Sequence, residues 1–514
     1  MRINPDAQLE AIKTGKFVSI VGNQYKFFSL ITDLTLNVSH PDILLFPPSP
    51  QETLLNTILK QKDIYATAEL KPMLMLSTDN KPMPVKTIPP HFASVYEASA
   101  HDVALIFGDE DEPSKRYFNI GSPLDMTTPV CIDLERLTER SNGIFGKTGT
   151  GKTFLTRLIL AGLIKQEKAV NLIFDMHSEY GLQARKEGGN QSFVKGLKTL
   201  FSDKVVIFSL DPESTRRRGG SPDVEMIIPY NEVNVEDILS LQEELNLHAT
   251  ALEAAYLIAV RYKKEWLAML LSQGDRLKDF ALEIGAHPES VAALYRKLTR
   301  IERLPFLRNT TTGTSVIDQM MEYIAKGTSI IVEFGNHTST MAYLLIANII
   351  TRRIHSEYVK KTEKFLGSQN KSDEPKKLMI TIEEAHKFLN PQAARQTIFG
   401  TIAREMRKYY VSLLVVDQRP SGIDPEIMSQ IGTKIVAQLN DEKDIQAVLT
   451  GINNASSLRS VLASLDSKKQ ALLLGHALTM PVVIQTRDYD ETFYRAMADT
   501  VTSKQIDELI KELF

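Results

Sequence analysis

One eight-residue segment restricts the possible folds of this chain more than any other feature. It follows the apolar pair Ile144-Phe145 and leads into the apolar helical run Phe154–Leu163. Between a strand and a helix, the complete G-x-x-x-x-G-K-T pattern is typical of a phosphate-binding P-loop in an α/β fold. Its glycines let backbone N–H groups face phosphates, and the helix N-terminus adds partial positive charge. The residues of the segment are Gly146, Lys147, Thr148, Gly149, Thr150, Gly151, Lys152 and Thr153.

Two residues of this loop have defined chemical roles. Lys152 is predicted to reach the β- and γ-phosphates of a nucleoside triphosphate, and the Thr153 hydroxyl to ligate Mg²⁺. The whole loop is expected to line the nucleotide. The sequence therefore predicts ATP and Mg²⁺ as cofactors.

A predicted strand, Leu378–Ile382, ends in two adjacent carboxylates. Glu383 is predicted to bind Mg²⁺ through water, and Glu384 to polarise the water that attacks the γ-phosphate. Adjacent carboxylates at a strand end can also form only a solvated turn. The complete P-loop in the same chain favours the catalytic interpretation.

Two other predicted strands end in polar side chains. Asp175 follows Val170–Phe174, and it is a candidate nucleotide contact because ligands bind at the carboxyl ends of such strands. Glu179 is a candidate of the same kind, and capping of the next segment is the open alternative for both. Gln418 lies just beyond Ser412–Val416 and is a candidate sensor of the γ-phosphate, with a plain strand-end turn as its alternative.

From about Asp133 onward the sequence predicts alternating strands and helices, whereas the residues before it are predicted to be rich in short strands. We predict a small β-barrel over residues 1–130, a P-loop ATPase domain over 131–475 and a C-terminal extension over 476–514. A helical insertion is predicted over about residues 233–305. The barrel is predicted from short apolar runs separated by turn residues. These runs are Phe17–Val21, Tyr25–Ile31, Tyr65–Leu76 and Val103–Phe107.

The ATPase domain is predicted to be RecA-like, with helices around a mainly parallel sheet. Its short, continuous apolar runs are typical of strands that are buried on both faces. The runs are Val170–Phe174, Val205–Leu210, Ser329–Phe334, Leu378–Ile382, Ser412–Val416, Ile435–Leu439 and Ala471–Leu474.

Composition limits the possible classes of protein. The net charge is −3, so any contact with nucleic acid must come from a local basic cluster or from residues repeated around a ring. No stretch approaches the ~20 apolar residues of a membrane-spanning helix, and the N-terminus does not resemble a signal peptide. Cys131 is the only cysteine, which fits a reducing cytoplasm, the predicted location.

The P-loop occurs once in the chain. Monomeric helicases carry two nucleotide-type domains, and the cleft between those domains forms the active site. Here the second wall of the cleft must come from another subunit, which predicts a ring of identical chains. An arginine donated across the subunit interface would offset the charge on the transferred phosphoryl group.

Several of these residues together resemble the HerA branch of the HerA–FtsK ring translocases, over most of the chain. A β-barrel ahead of the motor belongs to the same resemblance. One position departs from it, because Ser178 stands where the family usually has a glycine before Glu-Tyr. The resemblance is carried by Arg140, the segment Asp175–Tyr180, Glu383-Glu384-Ala385-His386, the helix Ala403–Lys408 and Gln418-Arg419-Pro420.

The resemblance implies a hexamer that hydrolyses ATP and moves double-stranded DNA through its central pore. It also implies a partner, either a NurA-type nuclease in the processing of broken DNA ends or an effector in defence against phage. By position, Arg140 resembles the family's arginine that acts in trans. Arg404 or Arg407 resembles a second arginine near the nucleotide.

A basic segment after Val205–Leu210 is the candidate for DNA contact, and its residues are Arg216, Arg217 and Arg218. Six copies facing one pore would suffice to contact phosphates without sequence specificity. A solvated basic face is the alternative.

A second function from a different class fits the same motifs. The ring would then be an assembly platform that recruits and regulates a nuclease or effector, with ATP switching its shape and no processive translocation. Neither hypothesis includes a membrane partner.

Overall fold

The computed structural model describes residues 1–4, 8–45, 49, 51, 59, 63–79, 81–124, 126–185, 193–309, 315–452, 455–466 and 468–498. The chain divides into two compact units. Unit 1 contains Met1–Leu137, Ile144–Lys152 and Gly432–Asp488. Unit 2 contains Thr138–Gly143, Thr153–Ile431 and the described residues from Tyr489 onward. The contiguous domains with boundaries at residues 130 and 475 stay predictions.

The strands of the described residues are numbered here in chain order. They are β1 (Phe17–Val21), β2 (Lys26–Val38), β3 (Ile64–Leu76), β4 (Pro82–Met83), β5 (Ser94–Glu97), β6 (Tyr117–Pro123), β7 (Val130–Asp133), β8 (Asn142–Phe145), β9 (Val170–Asp175), β10 (Gln183–Arg185), β11 (Phe193–Lys195), β12 (Val205–Ser209), β13 (Val224–Glu225), β14 (Ile228–Pro229), β15 (Leu307–Arg308), β16 (Ser329–Glu333), β17 (Leu378–Glu383), β18 (Val411–Asp417), β19 (Thr433–Val436), β20 (Gln470–Gly475) and β21 (Val482–Thr486).

The helices are identified by their ranges. No helix in the described residues has the length and apolar character needed to cross a membrane. The α-helices are Asp42–Leu45, Ala100–Phe107, Leu134–Thr138, Lys152–Lys165, Leu197–Leu200, Pro212–Arg217, Val235–Leu239, Gln242–Leu245, Ala249–Tyr262, Trp266–Leu271, Leu277–Glu283, Pro288–Glu302, Val316–Lys326, Thr340–Ser368, His386–Leu389, Ala393–Gln396, Ile398–Glu405, Pro425–Gln430, Glu442–Val448, Ala455–Ala463 and Glu491–Met497.

The N-terminal part of unit 1 is an antiparallel sheet in the order β4-β3-β2-β1-β5. The predicted runs Phe17–Val21 and Tyr25–Ile31 form its central hairpin, in which Phe17 lies opposite Leu30. β4 and β5 lie at opposite edges, so the described strands form an open sheet. The closed barrel that the sequence predicts for this region is therefore not confirmed.

The prediction of a β-type run at Val103–Phe107 is wrong, because these residues belong to the helix Ala100–Phe107. The helix begins with a capping box, in which Ser99 and Asp102 each accept a hydrogen bond from the backbone N–H of the other. It ends at Gly108, whose φ angle is 78°. These start and stop signals satisfy the helix ends and outweigh the β propensity of a short apolar run.

Unit 1 also contains the end of the strand that leads into the P-loop. The order of its remaining strands is β8-β19-β20-β21-β6-β7, and β19, β20 and β21 are antiparallel neighbours. The predicted strand Ala471–Leu474 lies within β20, whereas β19 contains only the first two residues of the predicted run Ile435–Leu439. Ala437 N donates a hydrogen bond to Phe145 O at 2.8 Å, which fixes the end of β8 just before the P-loop.

Unit 2 contains a parallel sheet in the order β13-β12-β16-β9-β17-β18. Five predicted strands, from Val170–Phe174 to Ser412–Val416, are confirmed as β9, β12, β16, β17 and β18. Their side chains are buried almost throughout, as expected where helices cover both faces of a sheet. Several helices lie between residues 235 and 302, within the range of the predicted helical insertion, and the insertion as a separate part of the domain stays a prediction.

Parallel strands bring their carboxyl ends to one edge of the sheet. At that edge of unit 2, each of four neighbouring strands ends in an acidic residue. β16, β9, β17 and β18 end in Glu333, Asp175, Glu383 and Asp417, respectively. The fold therefore concentrates carboxylates where a ligand of such a sheet is expected to bind.

Candidate nucleotide-hydrolysis site

Within unit 1, the P-loop curls around the carbonyl group of Lys147. Lys152 Nζ donates to this oxygen at 3.0 Å, and Thr150 Oγ1 donates to it at 2.8 Å. Gly149 and Gly151 have φ angles of 79° and 90°, in the left-handed region that favours glycine. The loop therefore has the tight, glycine-dependent turn that the motif predicts.

The helix Lys152–Lys165 begins at the last lysine of the loop, and its second residue, Thr153, belongs to unit 2. Thr153 Oγ1 donates to Glu179 Oε2 at 3.0 Å. Arg157, one turn further along the helix, donates from Nε to the Glu179 carbonyl oxygen at 3.0 Å. Glu179 is therefore tied to this helix through both its side chain and its backbone.

Arg157 is a buried arginine that the sequence analysis missed. Its side chain is 2% exposed, and the guanidinium lies over the rings of Phe154, Tyr180 and Tyr489 at 5.3, 5.9 and 6.0 Å. Aromatic faces stabilise a desolvated cation. A basic residue within an otherwise apolar helix is the sequence signal that could have identified it.

Two tyrosine hydroxyls fix Glu383 at the end of β17. Tyr180 Oη donates to Glu383 Oε1 at 2.6 Å, and the backbone N–H of Glu383 donates to Tyr343 Oη at 3.1 Å. Burial raises the pKa of both tyrosine hydroxyls well above the ordinary value. Both therefore stay protonated, and Tyr180 is a permanent donor to this carboxylate. Neither tyrosine is predicted from the sequence.

Glu384, the predicted catalytic carboxylate, has a left-handed backbone with a φ angle of 49°. Gln418 Nε2 donates to Glu384 Oε1 at 2.7 Å. The other oxygen, Oε2, lies 3.7 Å from His386 Nε2. The structure therefore brings the predicted residues Glu384 and Gln418 together at the ends of the neighbouring strands β17 and β18. The Glu384 side chain is 26% exposed, which leaves it accessible to water.

Asp417 holds the imidazole ring of His386. The ring Nδ1 lies 3.0 Å from Asp417 Oδ2, and the backbone N–H of His386 donates to the same oxygen at 2.7 Å. The hydrogen bond to Asp417 raises the pKa of His386, and the charges of Asp417 and Glu384 raise it further against the effect of burial. The sequence alone predicts no role for His386 or Asp417.

Asp175 caps the turn that follows β9. Its carboxylate oxygens accept hydrogen bonds from Glu179 N and Tyr180 N, both at 2.8 Å. These bonds match the capping alternative, and nucleotide contact by Asp175 stays a prediction. Burial raises the pKa of Asp175 to about 7, and the charge of Glu333 adds to the rise. Ser178, in the same turn, has a φ angle of 57°, a conformation that glycine adopts without strain.

The three arginines predicted to contact DNA lie at the end of the helix Pro212–Arg217 and just beyond it. Arg216 and Arg217 are exposed, and Arg216 pairs with exposed glutamates. Arg218 instead donates from Nη2 to Glu333 Oε2 at 2.6 Å, and the Glu333 side chain is fully buried. DNA contact stays a prediction for all three, but Arg218 also has a partner inside unit 2.

We expect Arg218→Ala to lower the free energy of unfolding by about 3 kcal/mol, because it leaves the Glu333 carboxylate buried without its cation. Arg217→Ala, the control at an exposed position, is expected to change it by less than about 0.5 kcal/mol. Thermal melting of both variants measures the difference. The double variant Arg218→Ala/Glu333→Gln should recover most of the loss, and equal melting of Arg218→Ala and wild type would contradict the structural role.

The arginines predicted to act near the nucleotide differ in their surroundings. Arg140 is exposed. Arg404 is half-buried, and its Nη1 donates to Ala394 O at 3.2 Å while Nε lies 3.5 Å from Glu426 Oε2. The side chain of Arg407 lies outside the described residues. The role of Arg140 in a neighbouring subunit stays a prediction, as does the role of Arg404 or Arg407 near the nucleotide.

The oxygen atoms in unit 2 suit a hard divalent cation. Thr153 offers a hydroxyl, and Glu383 offers a carboxylate at the end of β17. No group of three or more His, Cys, Asp or Glu residues within the described ranges is arranged to hold a metal ion by itself. Mg²⁺ binds together with nucleotide phosphates, and Thr153 and Glu383 stay its predicted protein ligands.

Comparisons with known proteins identify a family and several relatives. A family model described as the central domain of the helicase HerA matches residues 118–354. The DNA double-strand break repair helicase HerA of Sulfolobus acidocaldarius is 31% identical over 408 residues, which cover 76% of this chain and 72% of the relative. The protein of the same name from Pyrococcus furiosus is 24% identical over 423 residues, which cover 77% and 73%.

Among solved structures, VirB4 of Thermoanaerobacter pseudethanolicus superimposes on this chain with a TM-score of 0.49 and 15% sequence identity. The match covers 73% of this chain and 98% of VirB4.

Proposed function

This chain belongs to the HerA family of ATP-hydrolysing helicases, and on that premise we propose that it moves double-stranded DNA through a homo-hexameric ring. The observation that carries the proposal is Glu384, which Gln418 holds at the accessible end of β17. A fixed carboxylate at this edge is what the activation of an attacking water requires. The names of the relatives support DNA as the substrate.

We propose that ATP binds to the P-loop residues Gly146–Thr153 with Mg²⁺. Thr153 and Glu383 would hold the ion, which offsets the charge of the phosphates when bound. Lys152 would turn from the Lys147 carbonyl towards the β- and γ-phosphates. Gln418, next to Glu384, would sense the γ-phosphate, so that the carboxylate is released or held according to the nucleotide state.

The single P-loop supports the proposal of a ring. Each subunit would complete the active site of its neighbour with an arginine, and the exposed Arg140 is the proposed donor. Arg404, which contacts Ala394 and Glu426 of its own subunit, would be a second arginine near the nucleotide. Arg407 is the alternative to Arg404 that the family resemblance leaves open.

We propose that DNA phosphates contact Arg216 and Arg217, which are exposed on the helix Pro212–Arg217 and repeat six times around a ring. The relatives are named for double-strand break repair, which supports a role in the processing of DNA ends. A nuclease of the NurA type is the proposed partner in that role, and a phage-defence effector is the alternative partner. We place this activity in the cytoplasm.

Triplex displacement tests the proposal directly. The protein, with ATP and Mg²⁺, is expected to strip a third strand from a DNA duplex, because movement along the duplex removes whatever is bound ahead. The double variant Arg216→Ala/Arg217→Ala is expected to reduce displacement and to flatten its dependence on salt, because fewer phosphates are neutralised. Displacement is measured by release of a fluorescent third strand at several salt concentrations.

The control variant Arg300→Ala, which removes an exposed charge from the helix Pro288–Glu302, should behave as wild type. Nucleotide-dependent activation of a partner nuclease without displacement would contradict translocation and favour the assembly platform. ATP hydrolysis that duplex DNA does not stimulate would contradict DNA as the substrate.

A further inference from the structure

Glu384, the proposed catalytic residue, has a second neighbour in addition to Gln418. Its Oε2 atom lies 3.7 Å from His386 Nε2, within the range of an ion pair. Gln418 binds the other oxygen, so both carboxylate oxygens face a nitrogen of this chain. One nitrogen belongs to His386, which follows the end of β17, and the other belongs to Gln418, which follows the end of β18.

The orientation of the His386 ring is set by Asp417. The Asp417 side chain is fully buried, and it also accepts a hydrogen bond from Arg419 N at 2.6 Å. Because Asp417 accepts from two backbone N–H groups, it acts as an acceptor towards the ring as well, which places a proton on Nδ1. Nε2 is then the ring atom that faces Glu384, and it donates to that carboxylate when the ring also carries a proton on Nε2. The neighbouring carboxylates of Asp417 and Glu384 favour this imidazolium form, because the hydrogen bond to Asp417 and the charges of both carboxylates raise the pKa of His386.

The backbone of Glu384 makes such support necessary. A non-glycine residue with a φ angle of 49° is strained, and strained residues persist only where the surrounding contacts hold them. By itself, Gln418 restrains only Oε1 of Glu384, so the carboxylate can still rotate about that hydrogen bond. A second contact at Oε2 would remove this freedom, so that the carboxylate needs no reorganisation when the reaction begins.

We propose that His386 and Asp417 are positioning residues for Glu384: Asp417 fixes the imidazole ring, and the ring holds the second carboxylate oxygen. The inference depends on the role of Glu384 in the proposed function. It does not depend on DNA or on a partner protein, because every residue involved lies at the ends of β17 and β18 in unit 2.

The position of His386 permits a test by chemical rescue. Its side chain is 28% exposed and lines a pocket of about 240 Å³ together with Thr340, Lys387 and Asn390. A small ring compound in solution can therefore reach the space that a shortened side chain would leave. Imidazole is the probe, because it restores the missing ring and nothing else.

His386→Ala is expected to lower kcat for DNA-independent ATP hydrolysis about 10- to 100-fold and to leave KM for ATP unchanged. Added imidazole should restore turnover in a saturable way. The double variant His386→Ala/Asp417→Asn should resist rescue, because nothing then orients the added ring. Lys387→Ala, the control on the same pocket wall, should keep wild-type kcat and show no response to imidazole.

His386→Asn provides a second variant that preserves a donor towards Asp417 but is too short to reach Glu384, and it should lose kcat to the same extent. Wild-type kcat in both His386 variants, or rescue that is equal with and without Asp417, would overturn the inference. Glu384→Gln is measured in parallel. If Glu384→Gln keeps full turnover, the proposed role of Glu384 fails; if it is inactive while His386→Ala is not slower, only the positioning role fails.

Discussion

Glu384→Gln is expected to lower the turnover number for ATP by about 10²- to 10⁴-fold while ATP still binds with wild-type affinity. Glutamine keeps the shape of the side chain and an oxygen that accepts from Gln418, but its amide cannot take up the proton of the attacking water. The P-loop, which is proposed to make the phosphate contacts, is unchanged. Phosphate release measures turnover, and the equilibrium binding of a fluorescent ATP analogue measures affinity.

Glu322→Gln is a suitable control, because it makes the same chemical change at an exposed position on the helix Val316–Lys326. It should retain both turnover and binding. A Glu384→Gln protein that hydrolyses ATP at the wild-type rate would remove Glu384 from the mechanism. Loss of ATP binding together with turnover would contradict the separation of the two roles.

Arg140→Ala is expected to reduce turnover by about 10³- to 10⁵-fold, the range observed when an arginine that offsets phosphoryl charge is removed. The charge develops in the transition state, so ATP affinity should change little. Arg136→Ala removes a partly exposed arginine one turn earlier, which lies near Asp133, and should leave turnover intact. Steady-state kinetics on the purified assemblies measure these effects.

A mixture of two inactive proteins tests whether Arg140 acts in a neighbouring subunit. Arg140→Ala subunits keep Glu384, and Glu384→Gln subunits keep Arg140. Where the two meet in the correct order, one interface has both residues, and about one quarter of the interfaces in an equal random ring satisfy this condition. Assemblies co-purified through two different tags should therefore recover activity. An inactive mixture would place Arg140 in the site of its own subunit.

The positions of the central strands in unit 2 can be predicted from the sequence. Strands buried on both faces must be apolar throughout, so β9, β12, β16, β17 and β18 are visible as continuous runs. The run Val103–Phe107 is similar in composition, but the capping box at Ser99 makes it helical. Short apolar runs are ambiguous without their flanking signals. The sequence contains those signals, and they indicate the helix.

The candidate site is predictable only where a motif fixes it. The P-loop and the carboxylates Glu383 and Glu384 are visible because their chemistry needs a fixed spacing along the chain. The sequence does not reveal the contact of Tyr180 with Glu383 or that of Asp417 with His386, because each depends on which strands are neighbours in the sheet. Tyr180 and Glu383 are more than 200 residues apart in the sequence. No local pattern records such a pair.

The left-handed backbone of Glu384 implies a trade-off between the thermal stability of the protein and its proposed catalytic activity. The conformation costs about 1–2 kcal/mol for a residue with a side chain, and glycine would relieve it. Glycine would also remove the carboxylate. If Glu384 activates the attacking water as proposed, a laboratory selection for thermal stability alone would enrich variants of this residue that have lost ATP turnover. A selection for ATP turnover would retain the strained glutamate.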